Sequence, residues 1–123
     1  MRVGSVSENR EIEKRVAITP DIIQKYKSIG LEITLCENYA SHIGIQDKEY
    51  ENVGATISGD ENEILRNSDI IVQLGMLNDN KSSYLKENQT LIGVLNPYEN
   101  KEKLENLSKK KTFTFSLEML PRI

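Results

Sequence analysis

The chain has 123 residues, enough for one domain with a single core but short for an enzyme that must hold both a dinucleotide and a substrate. Its 16 basic and 19 acidic residues are spread along the chain and leave a net charge of -3, so there is no electrostatic footprint for nucleic acid, and none is expected as a partner. Cys36 is the only cysteine, which excludes an internal disulfide and a cysteine-based zinc cluster, and no apolar run approaches the roughly 20 residues of a membrane helix.

The opening "MRVGSV" lacks the apolar core of a signal peptide, so a soluble, cytoplasmic chain is expected. The same segment begins the structural pattern, with a strand over 2–6. Next, "TPDIIQKYKSIG" reads as a helix with Thr19 as N-cap and Pro20 at the first helical position. Ile22, Ile23, Tyr26 and Ile29 share its apolar face, and Gly30 stops it. A strand over 32–36 follows, then a weaker helix in "IQDKEYENVG" closing at Gly54, a short strand over 55–57 and a helix over 60–67. Strands are expected at 69–74, 90–96 and 112–117, with one further turn between 78 and 88. A helix over 97–111 turns Leu104 and Leu107 inward and places three lysines at its negative end. Strand–helix alternation with nearly continuous apolar strands such as "LIGVL" predicts a mainly parallel, doubly wound α/β sheet of the Rossmann or flavodoxin kind, with helices on both faces. Ligands of such sheets bind beyond the carboxyl ends of the strands, here near Ser7, Glu37, Gln73, Asn96 and Glu118.

Several residues are placed to act there. Arg15, in the loop before a helix N-terminus, either grips a carboxylate or phosphate bidentately or pairs with Glu11 or Glu13 on the surface. Gln73 and Asn96 fall at the ends of buried strands, where each amide faces a cleft or satisfies loop backbone groups. Neither a GxGxxG string nor a P-loop is present, so the chain is not expected to hold a pyrophosphate by itself. His42 stands in the polar loop "NYASHIG" and reads as a solvated histidine, Cys36 as packed, and Lys109 to Lys111 as a solvated helix end. No metal site and no catalytic side chain are expected.

Four strings, "EKRVAITP", "KEYENVGATI", "SDIIVQL" and "LEMLPRI", occur in order along the chain. Together they resemble the N-terminal domain shared by alanine dehydrogenases and the alpha subunit of proton-translocating NAD(P) transhydrogenase. The family's opening signature, Glu-x-Arg-Val-Ala-x-Thr-Pro, is matched by Glu13, Arg15, Val16, Ala17, Thr19 and Pro20. In the dehydrogenase branch, the resemblance implies, that arginine holds the substrate carboxylate together with a lysine and a histidine. Gln73 stands at the lysine position and Asn96 at the histidine position, so the cationic clamp and the proton-transferring imidazole are both missing. The family's Gly-Ala-Gly string after the second strand is replaced by Asn38, Tyr39 and Ala40.

The transhydrogenase branch needs no substrate clamp, because its hydride passes between two nicotinamides. There the Pro-Arg-Ile string opens a loop beside the nicotinamide end of NAD(H), which carries over to Arg122 and, through its backbone, Ile123. The resemblance therefore implies that residues 1–123 are the first lobe of the NAD(H)-binding component, with Arg15, Gln73 and Asn96 as candidates for lining the cleft, Arg15 being retained either for that or for folding, and the dinucleotide-binding second lobe outside this chain. It further implies NADP(H) on a separate component, membrane partners, a homodimer in the full-length form and a place peripheral to the inner membrane. An alanine dehydrogenase-like lobe with an altered substrate site and a non-catalytic binding or assembly module are the alternatives.

Overall fold

The structure, a computed structural model, describes residues 1–95 and 99–116. Its strands are β1 (Arg2–Ser5), β2 (Glu32–Cys36), β3 (Thr56–Ser58), β4 (Ile70–Val72), β5 (Thr90–Gly93) and β6 (Phe113–Ser116). They form one sheet in the order β3-β2-β1-β4-β5-β6, with every pairing parallel. This is the Rossmann strand order, and it reverses direction beside β1, between β1 and β4. The helices are α1 (Pro20–Ser28), α2 (Asp47–Asn52), α3 (Glu61–Asn67), α4 (Asp79–Ser82) and α5 (Lys101–Lys109), with a 3-10 turn at Ser41–Ile43 that the sequence pattern did not predict.

All six expected strands are present, shifted or shortened by up to three residues at their ends. The strand expected over 90–96 ends at Gly93, and the helix expected over 97–111 runs from Lys101 to Lys109 behind Asn100 as N-cap, with residues 96–98 outside the described residues. Thr19 has the extended backbone of an N-cap, yet its hydroxyl bonds the Asp21 carboxylate instead of capping a backbone N–H. Ile29, expected on the buried face of α1, is 72% exposed, because the helix ends at Ser28 and Gly30 turns the chain with φ +89°. The start of α2 carries a signal beyond those read from the sequence: Glu49 reaches back so that its Oε2 accepts the N–H of the N-cap residue Gln46 at 2.7 Å.

Register partners in a parallel sheet project to the same side, which separates the two faces. Val3 pairs with Ile33 and Ile70, whereas Gly4 pairs with Thr34 and Ile71. A Cβ on Gly4 would lie 2.1 Å from Ser68 Oγ and 2.8 Å from Ile64 Cγ2, so α3 packs on the Gly4 side, where only glycine lets it come so close. Ser5, on the Val3 side, meets Tyr39, whose ring stands edge-on to Tyr50 of α2 at 5.7 Å. Helices thus cover both faces, and fully buried Val6, Ile18, Ile23, Leu35, Leu65, Ile71, Leu91 and Leu95 form the core.

Candidate functional site

A cleft of about 630 Å³ opens at the carboxyl ends of β1, β4 and β5, at the point where the strand order reverses. Arg15 and Gln73 both line it. Asn96, Arg122 and Ile123 lie outside the described residues. A larger groove, about 770 Å³, runs along the β2–β3 edge beside Lys27, Glu32 and Glu63, away from the strand ends where sheets of this order bind ligands.

Gln73 follows the last residue of β4 and is 2% exposed. Its Oε1 accepts the Val6 N–H at 2.8 Å, and its Nε2 donates to the Val6 carbonyl at 3.0 Å and to Glu8 Oε2 at 2.7 Å. Both ends of the amide are therefore engaged by the chain leaving β1. Of the two roles open to Gln73, the backbone-satisfying one is what its hydrogen bonds perform, although the residue also borders the cleft.

Glu8, passed over in the sequence, forms the floor beside it. Its Oε2 also accepts the Leu74 N–H at 2.9 Å, and its Oε1 accepts the Gly75 N–H at 3.0 Å. Burial pushes the Glu8 carboxyl above its ordinary pKa, with the two backbone N–H groups pulling the other way. Nothing local in "SVSENRE" marks Glu8 among the other loop acids, because its donors come from residues 73–75.

Arg15 is exposed and grips Glu13, with Nε 2.9 Å from Oε1 and a terminal nitrogen 3.1 Å from Oε2. The Arg15 hydrogen bonds hold the Glu13 carboxyl down at about 2. Lys81, on α4, reaches Ser7 O at 3.0 Å and Glu61 Oε2 at 3.3 Å, and Lys103 lies 3.6 Å from Asp79. Among the described residues, each of the cations lining the cleft, Arg15, Lys81 and Lys103, thus sits against a carboxylate.

The signature string is anchored from below. Ile18 is held at both ends of its backbone: its N–H donates to the Tyr39 hydroxyl at 3.2 Å, and its carbonyl accepts from the Tyr50 hydroxyl at 2.8 Å. The Tyr39 hydroxyl also lies 2.8 Å from Ser5 Oγ, which donates to the Val72 carbonyl at 2.6 Å. One chain of hydrogen bonds therefore joins the loop carrying Arg15 to the end of β4. Asn38 takes the left-handed conformation with φ +57°.

His42 departs from the solvated reading. It is half-buried, its Nε2 lies 2.9 Å from the Lys14 carbonyl, and its Nδ1 is buried without a hydrogen-bond partner among the described residues. Cys36 is buried against Ser7 Oγ at 3.2 Å, and burial pushes its thiol pKa up. Among the described residues there is no group of three or more metal-ligating side chains, and no helix is long and apolar enough to cross a membrane.

Residues 4–123 match the family described as "Alanine dehydrogenase/PNT, N-terminal domain". An NAD(P) transhydrogenase subunit alpha protein of Rickettsia prowazekii is 33% identical over the whole chain, which spans 33% of that protein. The crystal structure of a transhydrogenase from Sinorhizobium meliloti superposes with a TM-score of 0.92 at 26% identity, covering 100% of this chain and 36% of that one. An L-alanine dehydrogenase shares the fold, with a TM-score of 0.87 at 17% identity over 94% of this chain and 32% of its own. The chain therefore spans about a third of the length of these relatives.

Proposed function

We propose, from the premise that the chain belongs to the alanine dehydrogenase/PNT N-terminal domain family, that it is the first lobe of the NAD(H)-binding component of a proton-translocating NAD(P) transhydrogenase. The observation that carries this reading is the pairing of every described cation in the cleft with a carboxylate, above a floor made by Glu8 and Gln73. A keto or amino acid needs a cation free to take its carboxylate. An uncharged or cationic nicotinamide needs none.

The described residues fit one end of the dinucleotide and not the other. Glu8 already takes the N–H groups of Leu74 and Gly75, and its acid repels a pyrophosphate, while Pro20 removes a donor from the start of α1. The phosphates belong on the second lobe, with the nicotinamide end turned toward this cleft beside Arg122, Ile123 and Asn96. Bound NADH supplies the hydride, and the residues of this lobe act by orienting the ring and excluding water. NADP(H) sits on a separate component, and coupling to proton movement resides in the membrane partners. The full-length protein works as a homodimer on the cytoplasmic side of the inner membrane.

A second reading, an alanine dehydrogenase-like lobe with an altered site, is favoured by one feature: Arg15 is 79% exposed, so its pairing with Glu13 is exchangeable for a substrate carboxylate. One assay separates the two. The full-length protein, with its NADP-binding and membrane components, should transfer hydride from NADH to NADP⁺ and show no pyruvate- and ammonia-dependent oxidation of NADH. Pyruvate-dependent oxidation without transfer to NADP⁺ establishes the second reading instead. In the same assay Arg122→Ala should slow transfer roughly tenfold with a smaller change in NADH affinity.

A further inference from the structure

The ion pairs of the cleft leave one charge over. Arg15 is bound to Glu13, Lys81 to Glu61 and Lys103 to Asp79, and exposed Glu99 is engaged as well. Glu8 lines the same cleft and, among the described residues, no cation is bound to it. Its oxygens take three N–H donors instead: Gln73 Nε2 at 2.7 Å and Leu74 N at 2.9 Å on Oε2, and Gly75 N at 3.0 Å on Oε1. These donors fix where the carboxylate points and favour its ionised form against the cost of burial, but they are neutral and leave its charge uncancelled. Glu13 and Lys81 act on it through space with opposite signs, and each is bound to another partner. A Cβ on Gly75 would lie 3.6 Å from Oε1, so the glycine keeps a side chain off that oxygen at the cleft. Half-buried, Glu8 is screened less by water than a surface acid is, and its field extends further into the cleft.

We propose that Glu8 sets the balance between oxidised and reduced nicotinamide in this cleft, its carboxylate raising the affinity for the cationic ring of NAD⁺ relative to the neutral ring of NADH. The inference rests on the reading above, in which the nicotinamide end of the dinucleotide enters here. NAD⁺ and NADH share their adenine, riboses and pyrophosphate, and differ by one hydride and therefore by one unit of charge on the ring. Contacts to the shared parts are equal for both, so only a group that acts on the ring distinguishes them. Gln73 carries no charge to offset Glu8, and Arg15 spends its own on Glu13, which leaves the Glu8 carboxylate as the charge that the ring meets.

The test measures calorimetric dissociation constants of NAD⁺, NADH and ADP-ribose, which lacks the nicotinamide, for the full-length protein and its Glu8→Gln variant. The ratio of the NAD⁺ constant to the NADH constant should rise roughly threefold to tenfold in the variant, with ADP-ribose binding unchanged. Gln73→Lys, which puts a cation beside Glu8, should move the ratio the same way. In wild type, where no folding defect intervenes, carbon-detected NMR should find the Glu8 midpoint lower with NAD⁺ bound than with NADH bound, because a nearby cation favours the carboxylate. An unchanged ratio or equal midpoints, in protein that still transfers hydride to NADP⁺, overturns the proposal alone. Equal weakening of all three ligands in Glu8→Gln overturns it too, by assigning Glu8 a role in the fold only. Wild type that binds neither NAD⁺ nor NADH overturns the reading and the proposal together.

Discussion

The Gln73 amide and the Glu8 carboxylate meet at the cleft floor, Nε2 donating to Oε2 across 2.7 Å. Through this contact the chain leaving β1 and the chain leaving β4 are tied at the place where the sheet reverses direction. Gln73 also pairs with both backbone groups of Val6, so its removal leaves buried donors and acceptors without partners. Gln73→Leu should lower stability by about 2–4 kcal/mol. Urea unfolding of wild type and variant measures it, and a change below about 0.5 kcal/mol means the network contributes nothing net.

Glu8 makes stability depend on pH in a direction opposite to that of most carboxylates. Because its folded pKa is raised by burial, the native state holds this proton over a range where the unfolded chain has released it. The contribution is present below the unfolded value and is lost as pH rises through the folded one. In Glu8→Gln that downward slope should vanish. Carbon-detected NMR titration of Glu8 reads the midpoint directly, and one at or below the ordinary glutamate range contradicts the assignment.

Tyr39 is the hinge of the hydrogen-bond chain from Ile18 to Val72, and burial holds its phenol up at about 12. Tyr39→Phe keeps the ring against Tyr50 but orphans the Ile18 N–H, at a cost of about 1–3 kcal/mol. Thermal melts give the cost. Ultraviolet titration should show one late-ionising tyrosine fewer in the variant, with Tyr50, whose phenol burial also pushes up, remaining; an unchanged count of late-ionising phenols contradicts the assignment to Tyr39.

At Gly93 a Cβ would fall 2.1 Å from the Gln73 carbonyl oxygen, a backbone atom that cannot swing aside. Gly93→Ala should therefore push β4 and β5 apart below the cleft, costing about 2 kcal/mol or more. Hydrogen exchange at the Gln73 N–H, bonded to Ile92 O at 2.9 Å, should accelerate. Wild-type protection in the variant refutes the strain.

The sequence by itself determined the alternation of elements, because apolar period and turn chemistry are local. "TPDIIQKYKSIG" carries its start and stop in Thr19, Pro20 and Gly30, and "LIGVL" reads as a strand wherever it is placed, although the structure buries Leu91 and Gly93 and leaves Ile92 partly exposed. It also placed Arg15 in the loop after the first strand and Gln73 at the end of a buried strand, two positions on the carboxyl side of a parallel sheet, and both line the cleft there. The tertiary structure alone decided what they do there. Arg15 is paired with Glu13 and not Glu11, Gln73 is consumed by Val6 and Glu8, and Glu8 is a floor instead of a surface acid. Those partners are separated by up to 67 residues in sequence, and no local pattern encodes a hydrogen bond whose donor arrives from another strand. The exposure of Phe113 and Phe115 has the same cause. "TFTFSL" shows the alternation of a strand, but only the register of β4, β5 and β6 shows which of its sides is the more exposed among the described residues.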